Sequence, residues 1–188
     1  MGRGLAFSAD KLECSERTLR RYVSDGLLHG ERGSRQEVRL ARGEEAYLRR
    51  HGLLLNRLRR ALRTEPSVRL AVLFGSIATG EDGPESDIDL LVDHKTGDIP
   101  QLLQLQRRLQ SHLGGRDFHL VLLSDAENAP ALLADVLDEG RVIVDRGGHW
   151  RTLTRRDEEI LKAAAAEDEV TREAAWRTVY EASRRLIV

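Results

Sequence analysis

Leu19 and Val23 lie four positions apart, between a serine and an Asp-Gly pair. This spacing predicts a helix over residues 16–23, with Ser15 as its N-cap and Asp25-Gly26 as its end. Before it, Ser8 is placed to cap a very short helix running through Leu12. Residues 29–36 are polar and glycine-bearing, set between Leu27-Leu28 and the alternating Val38 and Leu40, which predicts a two-stranded wing. Leu48, Leu55, Leu58 and Leu62 then recur near helical spacing within residues 43–63, with arginines over much of the other face. Thr64-Glu65-Pro66 closes this helix, because the residue before a proline is pushed out of helical conformation.

Past residue 66 the pattern changes to strand and helix in alternation. Residues 68–74 read as a buried strand, 88–92 as a second, 100–113 as a helix and 118–123 as a third strand. A helix over 129–137 and a short strand over 141–144 follow, and Gly147-Gly148 is a break. Residues 155–187 are helix-rich, with Trp176, Val179, Tyr180 and Ile187 on one side, which reads as packing surface rather than active site. His94, His112 and His149 read as surface residues, since none has a ligand-spaced histidine partner.

A chain of 188 residues can bury one good core or two small ones. Its 40% hydrophobic and 32% charged residues are those of a soluble globular protein. No apolar run approaches the roughly 18 residues of a membrane span. The first residues lack the apolar stretch of a secretory signal, and Cys14 is the single cysteine, which leaves no pairing for an internal disulfide. A cytoplasmic, membrane-free setting is expected. Charge is divided unevenly. Residues 1–64 hold 15 basic and 8 acidic side chains, a net of +7, while the rest hold 15 and 23, a net of −8. A basic front end suggests a polyanion partner, and a solvated arginine-rich surface is the plainer alternative.

Chemistry becomes readable between Leu73 and Val92. Gly75-Ser76 follows a predicted strand, ten residues intervene, and Asp87-Ile88-Asp89 opens the next. Alternate strand side chains share a face, so Asp87 and Asp89 are expected to point together while Ile88 turns inward. Two such carboxylates suit Mg²⁺ (or Mn²⁺), which keeps waters and also ligates substrate phosphates. Gly75 leaves room for backbone N–H groups to approach a phosphate, and the Ser76 hydroxyl can add a hydrogen bond. Phosphoryl and nucleotidyl transfers need mainly alignment and charge neutralisation, so few residues suffice.

Gly-Ser, a ten-residue gap and Asp-x-Asp together resemble the minimal nucleotidyltransferase family of the polymerase-β-like superfamily. The resemblance extends through 114–121 and 139–144, covering roughly residues 66–147. It implies an α+β nucleotidyltransferase fold, a small mixed sheet flanked by helices. It also implies Asp87 and Asp89 as catalytic metal ligands, with Gly75, Ser76, Gly80 and Ser86 binding an NTP, expected to be ATP. Two positions depart from the family pattern. Thr79 stands where relatives commonly have arginine, and His119 stands where active members carry a third carboxylate. His119 can serve as metal ligand or general base, can mark a degenerate site, or can be a bystander on a strand edge. Asp117, two residues earlier, is a possible substitute.

Residues 14–28, Cys-Ser-Glu-Arg-Thr-Leu-Arg-Arg-Tyr-Val-Ser-Asp-Gly-Leu-Leu, are similar to the recognition helix and turn of MerR-like winged helix-turn-helix regulators. This resemblance implies DNA contacts from Arg17, Thr18, Arg20 and Arg21 in the major groove, and from Arg32 and Arg35 in the wing. The first helix is shorter than that family's usual one. The expected organisation is a winged helix-turn-helix with linker helix at 1–64, a nucleotidyltransferase domain at 65–147 and a helical tail at 148–188. The leucines of the linker helix can pair with a second copy, as in dimeric regulators, or cover their own chain's core. Three functions are compatible. One is a Mg²⁺-dependent transferase of an NMP group to a hydroxyl of a protein or other acceptor, coupled to DNA binding, with a partner toxin in a toxin–antitoxin pair. Another is a transcription regulator whose nucleotidyltransferase domain has lost catalysis. The last is a toxin–antitoxin component acting by binding alone.

Overall fold

The computed structural model describes residues 5, 9, 14–32, 37–96, 99–113, 116–167 and 169–185. The chain divides into two compact units, Met1–Asn56 and Arg57–Val188.

In the first unit, helix α1 (Glu16–Ser24) starts where the Ser15 Oγ accepts the Thr18 N–H at 3.0 Å, and it stops where the Asp25 N–H turns back to the Arg21 carbonyl. Gly26 follows at φ 77°, a left-handed turn open to glycine. Strands β1 (Gly30–Arg32) and β2 (Val38–Leu40) pair antiparallel, with Gly30 opposite Leu40. Gly30 is a close-approach glycine, since a Cβ there would sit 2.3 Å from Val23 Cγ1. Leu19, Leu27, Leu28, Leu40, Tyr47 and Leu55 are buried. The helix proposed over residues 8–12, and Arg35, lie outside the described residues apart from Ala9.

Helix α2 (Glu44–Arg63) carries the chain into the second unit. Its Leu55, Leu58 and Leu62 are buried within the single chain, so these leucines cover their own protein.

The second unit is built on a four-stranded mixed sheet, β3 (Val68–Phe74), β4 (Ile88–His94), β5 (Phe118–Leu122) and β6 (Arg141–Asp145), in the order β5-β4-β3-β6. β3 pairs antiparallel with β4 and β6, whereas β4 and β5 run parallel. The parallel pair needs a crossover, and helix α4 (Ile99–Leu113) supplies it, burying Leu102, Leu105, Leu109 and Leu113 at spacings of three and four. Two short helices interrupt the strand-to-helix pattern, α3 (Gly75–Thr79) directly after β3 and α5 (Leu123–Ala126) after β5.

On one face of the sheet, Leu70, Val72, Phe74, Leu91 and Val121 pack with Leu132, Leu133 and Val136 of α6 (Pro130–Glu139). The residues after the last strand form α7 (His149–Thr154), α8 (Asp157–Ala166) and α9 (Glu169–Arg185), and they add Leu153, Ile160 and Val179 to the same cluster. Full burial of each such side chain is worth roughly 1.5–3 kcal/mol. The tail is therefore part of the core. His94 is buried at 8% exposure, where a surface position was expected, because β4 runs two residues longer than the apolar pattern suggested. His149 is half-exposed and pairs with Asp93 at 3.2 Å. No helix among the described residues is long and apolar enough to cross a membrane.

Candidate active site

Phe74, the last residue of β3, is registered opposite Asp89 of β4, so the chain that turns away after Phe74 does so beside that carboxylate. Gly75 makes the turn at φ 71°, and a Cβ there would meet Asp89 Oδ2 at 2.6 Å. Glycine is required twice over at this position, by the left-handed backbone and by the approach of the carboxylate. Ser76 lies in the first turn of α3, whose N-terminus has no side-chain cap.

The strand begins at Ile88, one residue later than the alternation argument assumes, yet the two aspartates converge. His119 Nδ1 lies 3.2 Å from Asp89 Oδ1 and 3.5 Å from Asp87 Oδ2. In the tautomer that carries its hydrogen on Nδ1, His119 donates to Asp89 Oδ1. The register of the parallel pair puts His119 directly beside Asp89. The imidazole is buried although β5 is an edge strand, so His119 does not stand on an open edge as one reading of the sequence expected. Asp89 is 13% exposed and Asp87 36%, so the pair opens to solvent on the Asp87 side.

The cover over the histidine comes from the tail. Tyr180 of α9 donates its phenolic hydroxyl to Asp89 Oδ1 at 3.1 Å, and its ring lies 4.5 Å from the His119 ring at a tilt of 58°. Trp176, one turn earlier, packs on Tyr180 with centroids 5.7 Å apart. This corrects the expectation that the aromatic side of the tail is packing alone. The available signal was an aromatic pair at i, i+4, which does not distinguish a core stripe from a site. Ile187 lies outside the described residues.

The remaining predicted positions divide. Gly80, at φ 84°, ends α3 with its N–H on the Ser76 carbonyl. Thr79 donates its hydroxyl to that same carbonyl, so the residue in the arginine position works locally to close the turn. The Ser86 hydroxyl accepts the Gly83 N–H at 2.9 Å and shapes the loop that leads to Asp87. Asp117 is exposed, and its carbonyl accepts the Ile88 N–H. A residue outside the predicted set, Arg141, is buried and donates Nε–H to the Ala78 carbonyl at 2.7 Å, which ties α3 to β6.

Asp87 and Asp89 are the side chains able to hold a divalent cation. Among the described residues no group of three His, Cys, Asp or Glu side chains forms a ready cage. The hard-oxygen pair fits Mg²⁺, which takes one or two carboxylates from protein and the rest from substrate and water.

In the first unit Arg17 and Arg21 are exposed on α1. Arg20 is also exposed and pairs with Glu16 at 2.7 Å, and the Thr18 hydroxyl lies 2.8 Å from Ser15 Oγ at the helix cap. Arg32 lies in β1.

The family model for Polymerase beta, Nucleotidyltransferase matches residues 56–148, a span that holds the whole sheet, Gly75, Asp87, Asp89 and His119. The chain carries a polymerase-β nucleotidyltransferase domain. Three solved structures similar to this chain have toxin–antitoxin descriptions. A mutant of the toxin-antitoxin MntA-HpeT is 24% identical at a TM-score of 0.50, covering 66% of this chain and 97% of its own. A toxin-antitoxin with AMP-PNP is 25% identical at a TM-score of 0.49, with the same two coverages. A tri-AMPylated Shewanella oneidensis HEPN toxin in complex with MNT antitoxin is 24% identical at 0.47, covering 69% and 98%. No curated protein matches the chain significantly. Tyr180 lies beyond the residues that the family model matches.

Proposed function

We propose that this protein is a Mg²⁺-dependent nucleotidyltransferase that moves an NMP group from an NTP, with ATP the first choice, to a hydroxyl acceptor on a protein. The observation that carries the reading is the meeting of three elements. Asp89 Oδ2 lies against Gly75, and Asp87 and Asp89 both reach the atom His119 Nδ1. In this mechanism Asp87 and Asp89 would hold the cation, which would supply neutralisation of the phosphate charge. The Gly75-Ser76 turn offers backbone N–H groups to the phosphates, and His119 fixes the Asp89 carboxylate and can take a proton from the acceptor. A protein acceptor is favoured because the Asp87 side of the pair is open to solvent, where a macromolecular hydroxyl can reach it. The acceptor we propose is the toxin of a toxin–antitoxin pair.

Incubation with each α-labelled NTP and Mg²⁺ or Mn²⁺ tests this directly. Wild type is expected to transfer label to a co-purified partner or to itself, and Asp87→Ala/Asp89→Ala to lose that transfer. Equal behaviour of the two proteins overturns the enzymatic reading.

A second reading has one observation in its favour, the imidazole seated where the resemblance puts a third carboxylate. In it the domain senses nucleotide and the basic first unit binds DNA as a regulator. Its signature is ATP binding that depends on Asp87 with no label transferred to any acceptor.

A further inference from the structure

We propose that Tyr180 is a self-modification site, its phenolic oxygen accepting the NMP group within its own chain. The proposal rests on the nucleotidyltransferase reading above and extends it to an acceptor. Tyr180 donates its hydroxyl to Asp89 Oδ1 at 3.1 Å, so an acceptor-type oxygen already sits on the carboxylate pair that would align an NTP. The phenol is held in direction by the His119 ring at 4.5 Å and by Trp176 at 5.7 Å. Its backbone is held in depth by the neighbouring Val179, which is in the core at 4% exposure.

The other hydroxyls near the motif are differently employed. Thr79 donates to the Ser76 carbonyl, and Ser86 receives the Gly83 N–H. Tyr180 is half-buried, and the carboxylate pair it touches opens to solvent on the Asp87 side. Holding an acceptor at the reaction centre replaces a bimolecular encounter by an intramolecular one, a large advantage where orientation is right.

The step balances without a redox partner. A lone pair of Tyr180 Oη attacks the α-phosphorus, the Oη–P bond forms, and the P–O bond to pyrophosphate breaks. The phenolic proton passes along the existing hydrogen bond to Asp89 Oδ1 and then to solvent. The product is a tyrosyl nucleoside monophosphate diester plus pyrophosphate. Once substituted, Oη has no hydrogen to donate to Asp89, so each chain turns over once at this residue.

Full-length protein would be incubated with ATP and Mg²⁺, its intact mass measured, and the modified peptide mapped. The expected result is one added AMP per chain on Tyr180, lost in Tyr180→Phe and in Asp87→Asn. Binding of a non-hydrolysable ATP analogue, followed by calorimetry, is expected in wild type and lost in Asp87→Asn. An AMP group mapped elsewhere overturns the proposal and leaves the transferase reading standing. No adduct alongside analogue binding that depends on Asp87 likewise overturns it. Neither adduct nor binding overturns both. Peptide mapping on wild type decides the question even where Tyr180→Phe is unstable.

Discussion

Gly75 has a left-handed backbone and the Asp89 carboxylate where a side chain would go. Gly75→Ala is therefore expected to lower stability by roughly 1–2 kcal/mol from the backbone alone, and, on the proposed function, to abolish NMP transfer by displacing Asp89. Thermal melting with the label assay reads both, and a variant that melts and transfers like wild type would refute the contact. Asp125 makes the opposite kind of case. It lines a small cavity of about 230 Å³ with Asn128, Thr178 and Val179, and burial pushes its carboxyl above the ordinary carboxylate range, opposed in part by a hydrogen bond with Ser124. A raised folded-state value means that the protonated form folds better. Its contribution is complete in acid below the unfolded value and disappears as pH rises through the folded one. Asp125→Asn should thus be neutral or slightly stabilising at pH 7, by less than about 1 kcal/mol given the exposure. That gain should vanish below the ordinary carboxylate range, which paired melts across pH will show.

Helix α2 ends not with a glycine but with a side chain from another element. Arg146, just after β6, donates to the carbonyls of Leu62 at 2.8 Å, Arg63 at 3.3 Å and Glu65 at 2.7 Å, and to that of Val68. These carbonyls belong to a helix end and to the turn into β3, where the Glu65 and Val68 N–H groups also reach Leu62 and Glu65, and a guanidinium fork can serve several together. Arg146→Ala is expected to cost about 2–3 kcal/mol in denaturant unfolding, with Arg146→Lys recovering only part. The sequence could not show this pairing, because Arg146 is one of many arginines and its partners are 78 to 84 positions away. By contrast the strands were legible. Val68 to Phe74 and Ile88 to Val92 are apolar runs bounded by turn residues, and burial on both faces produces such runs. Helix α3 was hidden, since five residues are too few to display a period.

Across the whole molecule the signal for the site was strong in one half and silent in the other. Gly75, Asp87 and Asp89 stand within fifteen positions, so their spacing could be read as a motif. Tyr180 joins them from 91 positions beyond Asp89, with no local pattern to mark it. His119 was legible as a substitution, but its burial between a carboxylate and a tyrosine ring follows from α9, which a reading of the strands alone leaves out. Charge is the other property of this scale. If the first unit grips a polyanion through Arg17 and Arg21, Arg17→Ala/Arg21→Ala should weaken DNA retention and reduce the slope of log affinity against log salt by about one to two. Retention with unchanged slope would remove α1 from that role.

The 91-position span between Asp89 and Tyr180 also sets an order of events during synthesis. A chain emerging from the ribosome exposes all four strands before the phenol leaves the tunnel, and chains fold in the direction in which they are made. The carboxylates then stay uncovered until α9 docks, so a nascent protein has its acidic pair before it has the tyrosine that rests on it. Cleavage in the stretch joining α8 to α9 would return a finished protein to that juvenile state, with the sheet intact and the acidic pair bared.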